Sequence, residues 1–205
     1  HGRPWGLEWG AAMLASPAMD NALPPARPNW LDYCTALDAR PLSAIDLVVI
    51  HCTELPDMAL ARQYGERVLY ASGTGNSGHF YIDRDGRIEQ YVPLQRSAHH
   101  VRGYNARSIG IELANIGRWP HWLDSRHQAM QQPYPAAQRD ALLQLLQALT
   151  QHLPDLRWIA GHEDLDREQV PASDNPALQV ARKRDPGPQF DWAHVLANTA
   201  LKRLL

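Results

Sequence analysis

The sequence predicts an α/β domain in which a central mixed β-sheet carries helices on both faces. Apolar runs typical of buried strands occur at 46–53, 108–113 and 156–160. An amphipathic helical pattern lies between the second and third runs, and an Asp-Gly pair at 85–86 separates two further strand-like runs. Because strands alternate with helices and the Asp-Gly turn adds an antiparallel pair, we expect the sheet to be mixed.

Length and composition predict one main domain. At 205 residues the chain is long enough for one substantial core and barely long enough for two. Pro24, Pro25 and Pro28 predict an extended or partly disordered N-terminal arm over 1–40, and 41–205 is expected to form the domain itself. The sequence does not begin with Met, so we expect its true start to be missing, processed or replaced.

The charge and the apolar content exclude two classes of partner. The formal net charge is −2, whereas a nucleic-acid-binding protein shows a basic stripe. No apolar run approaches the roughly 20 residues that a membrane helix needs. Cys34 and Cys52 are too few for a fold built on disulfides, and we expect both to be free thiols.

The first half of the domain is predicted as strand, helix and loop. Within 46–53, the four residues from Leu47 to Ile50 are all apolar and are followed by a histidine, which is typical of a strand buried on both faces. A helix is predicted over 58–70, although Gly65 weakens it. The Gly-rich segment 72–78 is predicted to be a flexible loop. A phosphate-binding loop is the alternative, but the segment lacks a Lys-Ser/Thr ending and precedes a strand.

The second half begins with the predicted hairpin strands at 79–82 and 88–92. A long helix follows, ended by Pro154, and a last helix is predicted from an Asp191 cap to Leu204. The long helix has a single apolar face, formed by Leu142, Leu145, Leu146, Leu149 and Leu153.

Two histidines and an aspartate form the candidate metal site. His51 ends the first strand, His162 follows the 156–160 strand, and Asp185 lies in a Lys-Arg-Asp-Pro-Gly-Pro segment. This is the ligand set of a catalytic zinc that keeps its fourth position open for water. A core histidine held by one hydrogen bond is the alternative for His51. A Cys/His pair with Cys52 is a further alternative, but adjacent strand residues point to opposite faces.

Six segments in this order resemble the motifs of the type 2 zinc-dependent N-acetylmuramoyl-L-alanine amidases. That family includes bacterial muropeptide-recycling amidases, phage amidases and animal peptidoglycan recognition proteins. The segments are Val-Ile-His-Cys-Thr at 49–53, Gly-His-Phe-Tyr-Ile-Asp-Arg-Asp-Gly at 78–86, Ser-Ala-His-His at 97–100 with Gly-Tyr-Asn at 103–105, Ser-Ile-Gly-Ile-Glu-Leu at 108–113, Gly-His at 161–162, and Lys-Arg-Asp-Pro-Gly-Pro at 183–188.

The resemblance implies a zinc amidase domain at 41–205 whose zinc ligands are His51, His162 and Asp185. Phage and animal members have a cysteine as the third ligand, and phage members tend to have a catalytic tyrosine where this chain has Gly78. Both differences indicate the recycling-type bacterial branch.

Two further residues have catalytic roles by the same resemblance. Glu112 corresponds to the catalytic glutamate of the recycling branch and would transfer protons between water and the leaving amine. Lys183 corresponds to the family lysine and would stabilise the oxyanion. The alternatives are an exposed strand carboxylate for Glu112 and, for Lys183, a solvated member of a basic cluster.

Several residues are expected to border the substrate rather than react with it. His79 is also a rival for a ligand position, although in the family this histidine more often packs behind the site. His121, His127, His152 and His194 are expected at the surface. The expected substrate contacts are Cys52, His79, His100, Tyr104 and Asn105.

The resemblance implies hydrolysis of the amide between N-acetylmuramic acid and L-alanine, in peptidoglycan or in muropeptides. A non-catalytic muropeptide-binding module and a zinc hydrolase of another amide are the alternatives. We expect a monomer from a bacterium, with the cytoplasm favoured over the periplasm. The segment 163–182 is longer than in recycling-type members, and we expect an unstructured loop that walls the groove and selects substrate. Its charged residues Asp164, Asp166, Arg167, Glu168 and Asp174 suit polar contact with the substrate. A surface insertion without such a role is the alternative.

Overall fold

The structure is a computed structural model, and it describes residues 21–205. Residues 1–20 of the predicted arm lie outside the described part. Residues 21–40 are packed into the domain: Arg27 and Pro28 pair with a strand of the sheet, and Leu31 and Leu37 are buried. Within residues 21–205, no helix is long and apolar enough to cross a membrane.

The described residues form a seven-stranded sheet, a separate two-stranded hairpin and four α-helices. The strands are β1 (Arg27–Pro28), β2 (Leu47–Cys52), β3 (Phe80–Ile82), β4 (Ile88–Gln90), β5 (Ser108–Leu113), β6 (Trp158–Gly161), β7 (Gln169–Pro171), β8 (Gln179–Ala181) and β9 (Lys202–Arg203). The α-helices are α1 (Met58–Glu66), α2 (Ala136–His152), α3 (His162–Leu165) and α4 (Trp192–Ala197). Short 3-10 helices occupy Cys34–Ala36, Leu42–Ala44 and Asn105–Arg107.

The sheet has the strand order β1-β4-β3-β5-β2-β6-β9, and β7 pairs with β8 outside it. Its pairs are parallel except β3–β4, which is the predicted hairpin. The mixed α/β sheet predicted from the sequence is therefore confirmed. All six residues of β2 are buried, as expected for a central strand covered on both faces.

Helix α2 covers one face of the sheet, and its predicted leucine stripe is confirmed. Leu142, Leu145, Leu146 and Leu149 are completely buried in the main core. They share that core with alternate residues of the central strands, such as Ile50 of β2. Burying one leucine side chain contributes about 1.5–3 kcal/mol, so this stripe is enough to fix the helix against the sheet.

The opposite face is covered by α1 and by the segment that precedes β2. Tyr81 of β3 points to this side, because its neighbours Phe80 and Ile82 lie in the α2 core. It packs in a second cluster that includes Ala61 of α1. The helices therefore lie on both faces, as predicted. Near the carboxyl ends of β2 and β5, the same face of the sheet carries the polar side chains of His51 and Glu112.

Three predicted elements differ from the structure. Helix α1 ends at Glu66 instead of residue 70, because Arg67 adopts an extended conformation and its N–H closes a tight turn on Tyr64. Helix α4 ends at Ala197 instead of Leu204, because the chain turns back and 202–203 pair with β6.

The third difference concerns 163–182, which was predicted to lack structure of its own. It begins within α3 and contains the hairpin β7–β8. Pairing of two strands satisfies the backbone polar groups that an unstructured loop would leave to water.

Candidate active site

The three predicted metal ligands meet at the carboxyl ends of β2 and β6. These strands are parallel neighbours, and Ile50 pairs with Gly161, so the next residues His51 and His162 lie side by side. In open α/β sheets, ligand sites form at this edge of the strands. Asp185 reaches the same point from the segment after β8, which is anchored by a hydrogen bond from the Glu163 N–H to the Asp185 carbonyl.

The geometry of this trio fits a tetrahedral metal ion. His51 Nδ1 lies 2.8 Å from Asp185 Oδ2, and His162 Nδ1 lies 3.2 Å from the same oxygen. All three ligand atoms lie within 4.8 Å of one another. Atoms that each lie about 2.0–2.2 Å from one tetrahedral zinc are roughly 3.3–3.6 Å from one another, so small shifts of these side chains would admit the ion. The side chains are also enclosed, since His51, His162 and Asp185 are only 2%, 6% and 4% exposed.

The protonation states of His51 and Asp185 also suit metal binding. Burial lowers the pKa of His51 to about 4, so its imidazole is neutral at neutral pH. Burial alone would raise the pKa of Asp185, but attraction and hydrogen bonding to His162 and His51 hold that pKa well below its ordinary value. A neutral imidazole and an ionised carboxylate are the forms that coordinate zinc.

Glu112 lies directly beside the trio. It is the residue of β5 that pairs with His51 of β2, and its Oε1 lies 3.9 Å from His51 Nδ1. Its other oxygen, Oε2, is buried without any hydrogen-bond partner. Burial, followed by the nearby Asp185 carboxylate, raises the pKa of Glu112 well above its ordinary value. A buried carboxylate with an unused oxygen beside a metal site is suited to proton transfer.

Gly78 leaves the space that Glu112 occupies. A Cβ at residue 78 would lie 3.0 Å from Cγ of Glu112 and 3.1 Å from the carbonyl oxygen of Gly110. Both distances are shorter than ordinary van der Waals contact, so a side chain at residue 78 would require Glu112 to shift by a few tenths of an ångström.

The site opens into a cavity of about 660 Å³, a volume typical of small-molecule pockets. Glu112 and Lys183 line this cavity together with the three candidate ligands. The cavity extends from the metal trio to the end of α1, where Tyr64 and Tyr70 line it. Arg102 and Arg182 also line it.

The sequence pattern of the N-acetylmuramoyl-L-alanine amidase family matches residues 41–188 of this chain. The chain belongs to this family. The matched segment contains the trio, Glu112 and Lys183.

Known members of the amidase family resemble the chain in sequence and in fold. The 1,6-anhydro-N-acetylmuramyl-L-alanine amidase AmpD of Escherichia coli K12 is 36% identical over 126 residues, which are 57% of this chain and 55% of AmpD. The chain thus spans about half the length of the curated relatives it matches.

Two solved structures have the same fold. A crystal structure of a selenomethionine derivative of AmpD superposes with a TM-score of 0.62 at 26% identity, covering 87% of this chain and 96% of that one. The E. coli amidase AmiD in complex with anhydro-N-acetylmuramic acid-L-Ala-D-γ-Glu-L-Lys gives a TM-score of 0.56 at 25% identity, covering 78% and 58%.

The residues predicted to border the substrate divide into two groups. Cys52, His100 and Asn105 line the cavity. His79 and Tyr104 are absent from the cavity wall. His79 is completely buried, with Nδ1 accepting a hydrogen bond from the Gly110 N–H, so it supports the wall from behind. Tyr104 packs against a small apolar cluster that includes Val101.

The acidic residues of 163–182 do not face the cavity, contrary to the sequence-based expectation. Asp166 pairs with Arg182, Asp164 with Arg203, and Glu168 with Arg102. These carboxylates neutralise cations of the protein itself. Within 163–182, Arg182 is the residue that lines the cavity.

A buried ion pair that sequence analysis missed connects two sides of the site. The Glu54 carboxylate accepts hydrogen bonds from the Arg118 N–H, Nε and Nη2 at 2.8–3.1 Å. Arg118 also donates to the carbonyl oxygens of Ala181 and Arg182. It therefore joins the segment after β2 to the segment that leads to Asp185. No local pattern marks this pair, because its members are 64 residues apart.

Proposed function

We propose that this chain is a zinc-dependent amidase that hydrolyses the bond between N-acetylmuramic acid and L-alanine in muropeptides. The observation that carries the proposal is the position of Glu112, which lines the cavity with its Oε1 3.9 Å from His51 Nδ1 and its Oε2 without a hydrogen-bond partner. Family membership alone would also fit a domain that binds muropeptides without cutting them. A carboxylate of this kind is what a cutting enzyme needs in addition to a metal.

His51, His162 and Asp185 would bind the zinc through Nδ1, Nδ1 and a carboxylate oxygen. Zinc held in such a site would lower the pKa of water to about 7 and would act as a Lewis acid toward a carbonyl oxygen. Three protein ligands leave a position open, as catalytic zinc sites do.

Glu112 is assigned to proton transfer. Its side chain lines the cavity beside the trio, where the carboxylate would accept a proton from water and return it to the leaving amine of L-alanine. General acid–base catalysis of this kind contributes about 10²–10⁴-fold in rate. Burial raises the pKa of Glu112, and this direction favours a carboxylate that accepts a proton before it returns it.

Lys183 is assigned to stabilising negative charge on the carbonyl oxygen of the scissile amide. It lines the cavity and lies two residues before Asp185, so its backbone is fixed by the same segment that positions the ligand. A cation placed where charge develops in the transition state is a common source of catalysis.

The 1,6-anhydro-muropeptides are the substrate that we favour. AmpD is named for that activity, and AmiD has been crystallised with an anhydro-muramyl peptide. Asp185 and Gly78 also match the recycling-type branch rather than the phage branch. We further propose that the protein is a bacterial monomer of the cytoplasm, since its two cysteines are free and buried.

Mass spectrometry of the products from one defined anhydro-muropeptide tests the proposal. We expect an anhydro-sugar and an intact peptide that begins with a free L-alanine amine. A bound but uncut muropeptide would indicate a binding module, and cleavage at any other amide would indicate a different hydrolase. Comparing the rates on anhydro-muropeptide and on whole sacculi then tests the choice of substrate.

A further inference from the structure

A linear set of hydrogen bonds extends behind the candidate ligand His51. Nε2 of His51 lies 2.9 Å from Nδ1 of His100, and Nε2 of His100 lies 3.0 Å from Oγ of Ser108. The His51 and His100 rings meet edge to face, with centroids 5.1 Å apart. Ser108 is the first residue of β5 and is completely buried. The set therefore connects the candidate metal site to the far end of the strand that carries Glu112.

The direction of these bonds follows from the position of the ligand atom. Nδ1 of His51 faces Asp185, so Nδ1 must carry the lone pair when a metal is bound. In a neutral imidazole the proton then lies on Nε2, and this N–H donates to Nδ1 of His100. A neutral His100 that accepts at Nδ1 carries its own proton on Nε2 and donates it to the Ser108 hydroxyl. The opposite direction would place a proton on the ligand atom of His51.

Two features hold the His100 ring in place. The Asn105 side-chain oxygen accepts hydrogen bonds from the N–H groups of His100 and Val101, at 2.9 and 2.8 Å. At Gly110, a Cβ would lie only 2.7 Å from Nδ1 of His100, so the glycine leaves room for the ring. Together with the Ser108 hydroxyl at Nε2, the Asn105 side chain and the close approach to Gly110 fix the position of the ring.

We propose that His100 is a positioning residue for the metal site: it accepts the His51 Nε2 proton and thereby presents Nδ1 of His51 to the metal. Ser108 fixes the tautomer in which His100 can accept. This inference rests on the proposed metal site, and it assigns roles that the proposed mechanism does not. Metal-binding histidines usually donate their second N–H to a carboxylate, a backbone carbonyl or water, and loss of that partner typically weakens metal binding by about 10–100-fold.

Two amide substitutions at one position separate this role from simple packing. In His100→Asn the side-chain oxygen can occupy the place of Nδ1 and still accept from His51. In His100→Gln the longer side chain reaches the place of Nε2, so it can contact Ser108 but not His51. Both variants replace the same ring with an amide.

Zinc affinity is measured by competition with a chelator, without substrate, so the result does not depend on turnover. We expect His100→Asn to bind zinc close to the wild-type affinity and His100→Gln to bind it about 10–100-fold more weakly. Ser108→Ala should cause a smaller loss, because it removes only the bond that fixes the tautomer of His100. Thermal melts of the metal-free proteins check that each variant is folded.

The proposal is overturned if His100→Asn and His100→Gln lose the same amount of zinc affinity, or if neither variant loses any. Either result would mean that His100 only packs against its neighbours.

Nitrogen NMR of the His51 ring in the zinc-bound protein is a second readout. A hydrogen-bonded Nε2–H that persists in His100→Asn and is lost in His100→Gln supports the role, and an unchanged signal in both contradicts it. A wild-type protein that binds zinc but does not cleave muropeptide would overturn the proposed function and leave this inference standing. A wild-type protein that does not bind zinc would overturn both.

Discussion

Replacing Glu54 with alanine removes one partner of the buried Glu54–Arg118 ion pair. The side chains are only 11% and 1% exposed, so the remaining guanidinium would stay in the protein interior without its carboxylate. Three hydrogen bonds from Arg118 to the carboxylate are lost together. The substitution therefore tests whether this pair holds the segment after β2 against the segment that leads to Asp185.

The expected cost follows from what Arg118 retains. Breaking a buried ion pair by removing one partner costs about 3–5 kcal/mol. Arg118 keeps three neutral acceptors, Gln128 Oε1 and the carbonyl oxygens of Ala181 and Arg182, at 2.8–3.3 Å. We therefore expect the lower end of the range, about 3 kcal/mol. For a domain of this size, that corresponds to a fall in Tm of about 6–12 °C.

Urea unfolding of metal-free protein measures this cost without a contribution from zinc binding. Glu168→Ala is the matched control, because Glu168 pairs with Arg102 at the surface, where the side chains are 50% and 67% exposed. Exposed pairs contribute about 0.2–1 kcal/mol. If Glu54→Ala is no more destabilising than Glu168→Ala, the argument from burial is wrong.

Three further predictions concern the catalytic carboxylate, the thiols and the β7–β8 hairpin. Glu112→Gln should keep its zinc and lose about 10²–10⁴-fold in turnover, since it removes proton transfer but no ligand; metal analysis that finds the zinc lost would make Glu112 a ligand. Thiol counting in denaturant without reductant should find Cys34 and Cys52 both free, and Cys34 should react slowly in the native protein, because burial raises its pKa to about 11; rapid native labelling would contradict this. Shortening 172–178 at the hairpin tip should leave zinc bound and change the ratio of rates on free muropeptide and polymeric wall, because these residues lie outside the cavity and only a polymer extends that far; an unchanged ratio would show that the hairpin does not select substrate.

The central strands and the trio of ligands could be predicted because their signals are local. The apolar run before His51 is long enough to specify a strand buried on both faces, and a strand of that kind ends at the edge of the sheet where sites form. The same reasoning applies to His162 after β6. The structure brings both residues together with Asp185, which the resemblance had assigned as the third ligand.

The polar contacts around the trio could not be predicted, because they join distant parts of the chain. Glu54 and Arg118 are charged residues in two polar segments, and neither segment indicates that its charge will be buried. His100 was expected to contact substrate. It meets His51 because the fold brings the loop that carries His100 against the end of β2. Side-chain pairing over such separations follows from the fold and not from any local pattern.

The predicted ends of α1 and α4 were wrong because local sequence does not show the tertiary contacts. Helix propensity continues past Ala197, but residues 202–203 gain backbone hydrogen bonds by pairing with β6 at the edge of the sheet. At α1, only Ala61 and Gly65 are buried, so little apolar surface holds a longer helix in place. In both cases tertiary contacts decided where the helix ends.

We propose that His51, His162 and Asp185 bind the zinc on which muramyl-L-alanine amide cleavage depends. Titration of metal-stripped protein with zinc, while release of the free peptide from an anhydro-muropeptide is followed, measures this dependence. We expect the rate to rise linearly and to stop rising at one zinc per chain, and we expect Asp185→Asn to shift the titration to much higher zinc. Full cleavage by the stripped protein, or no cleavage with one zinc bound per chain, would contradict it.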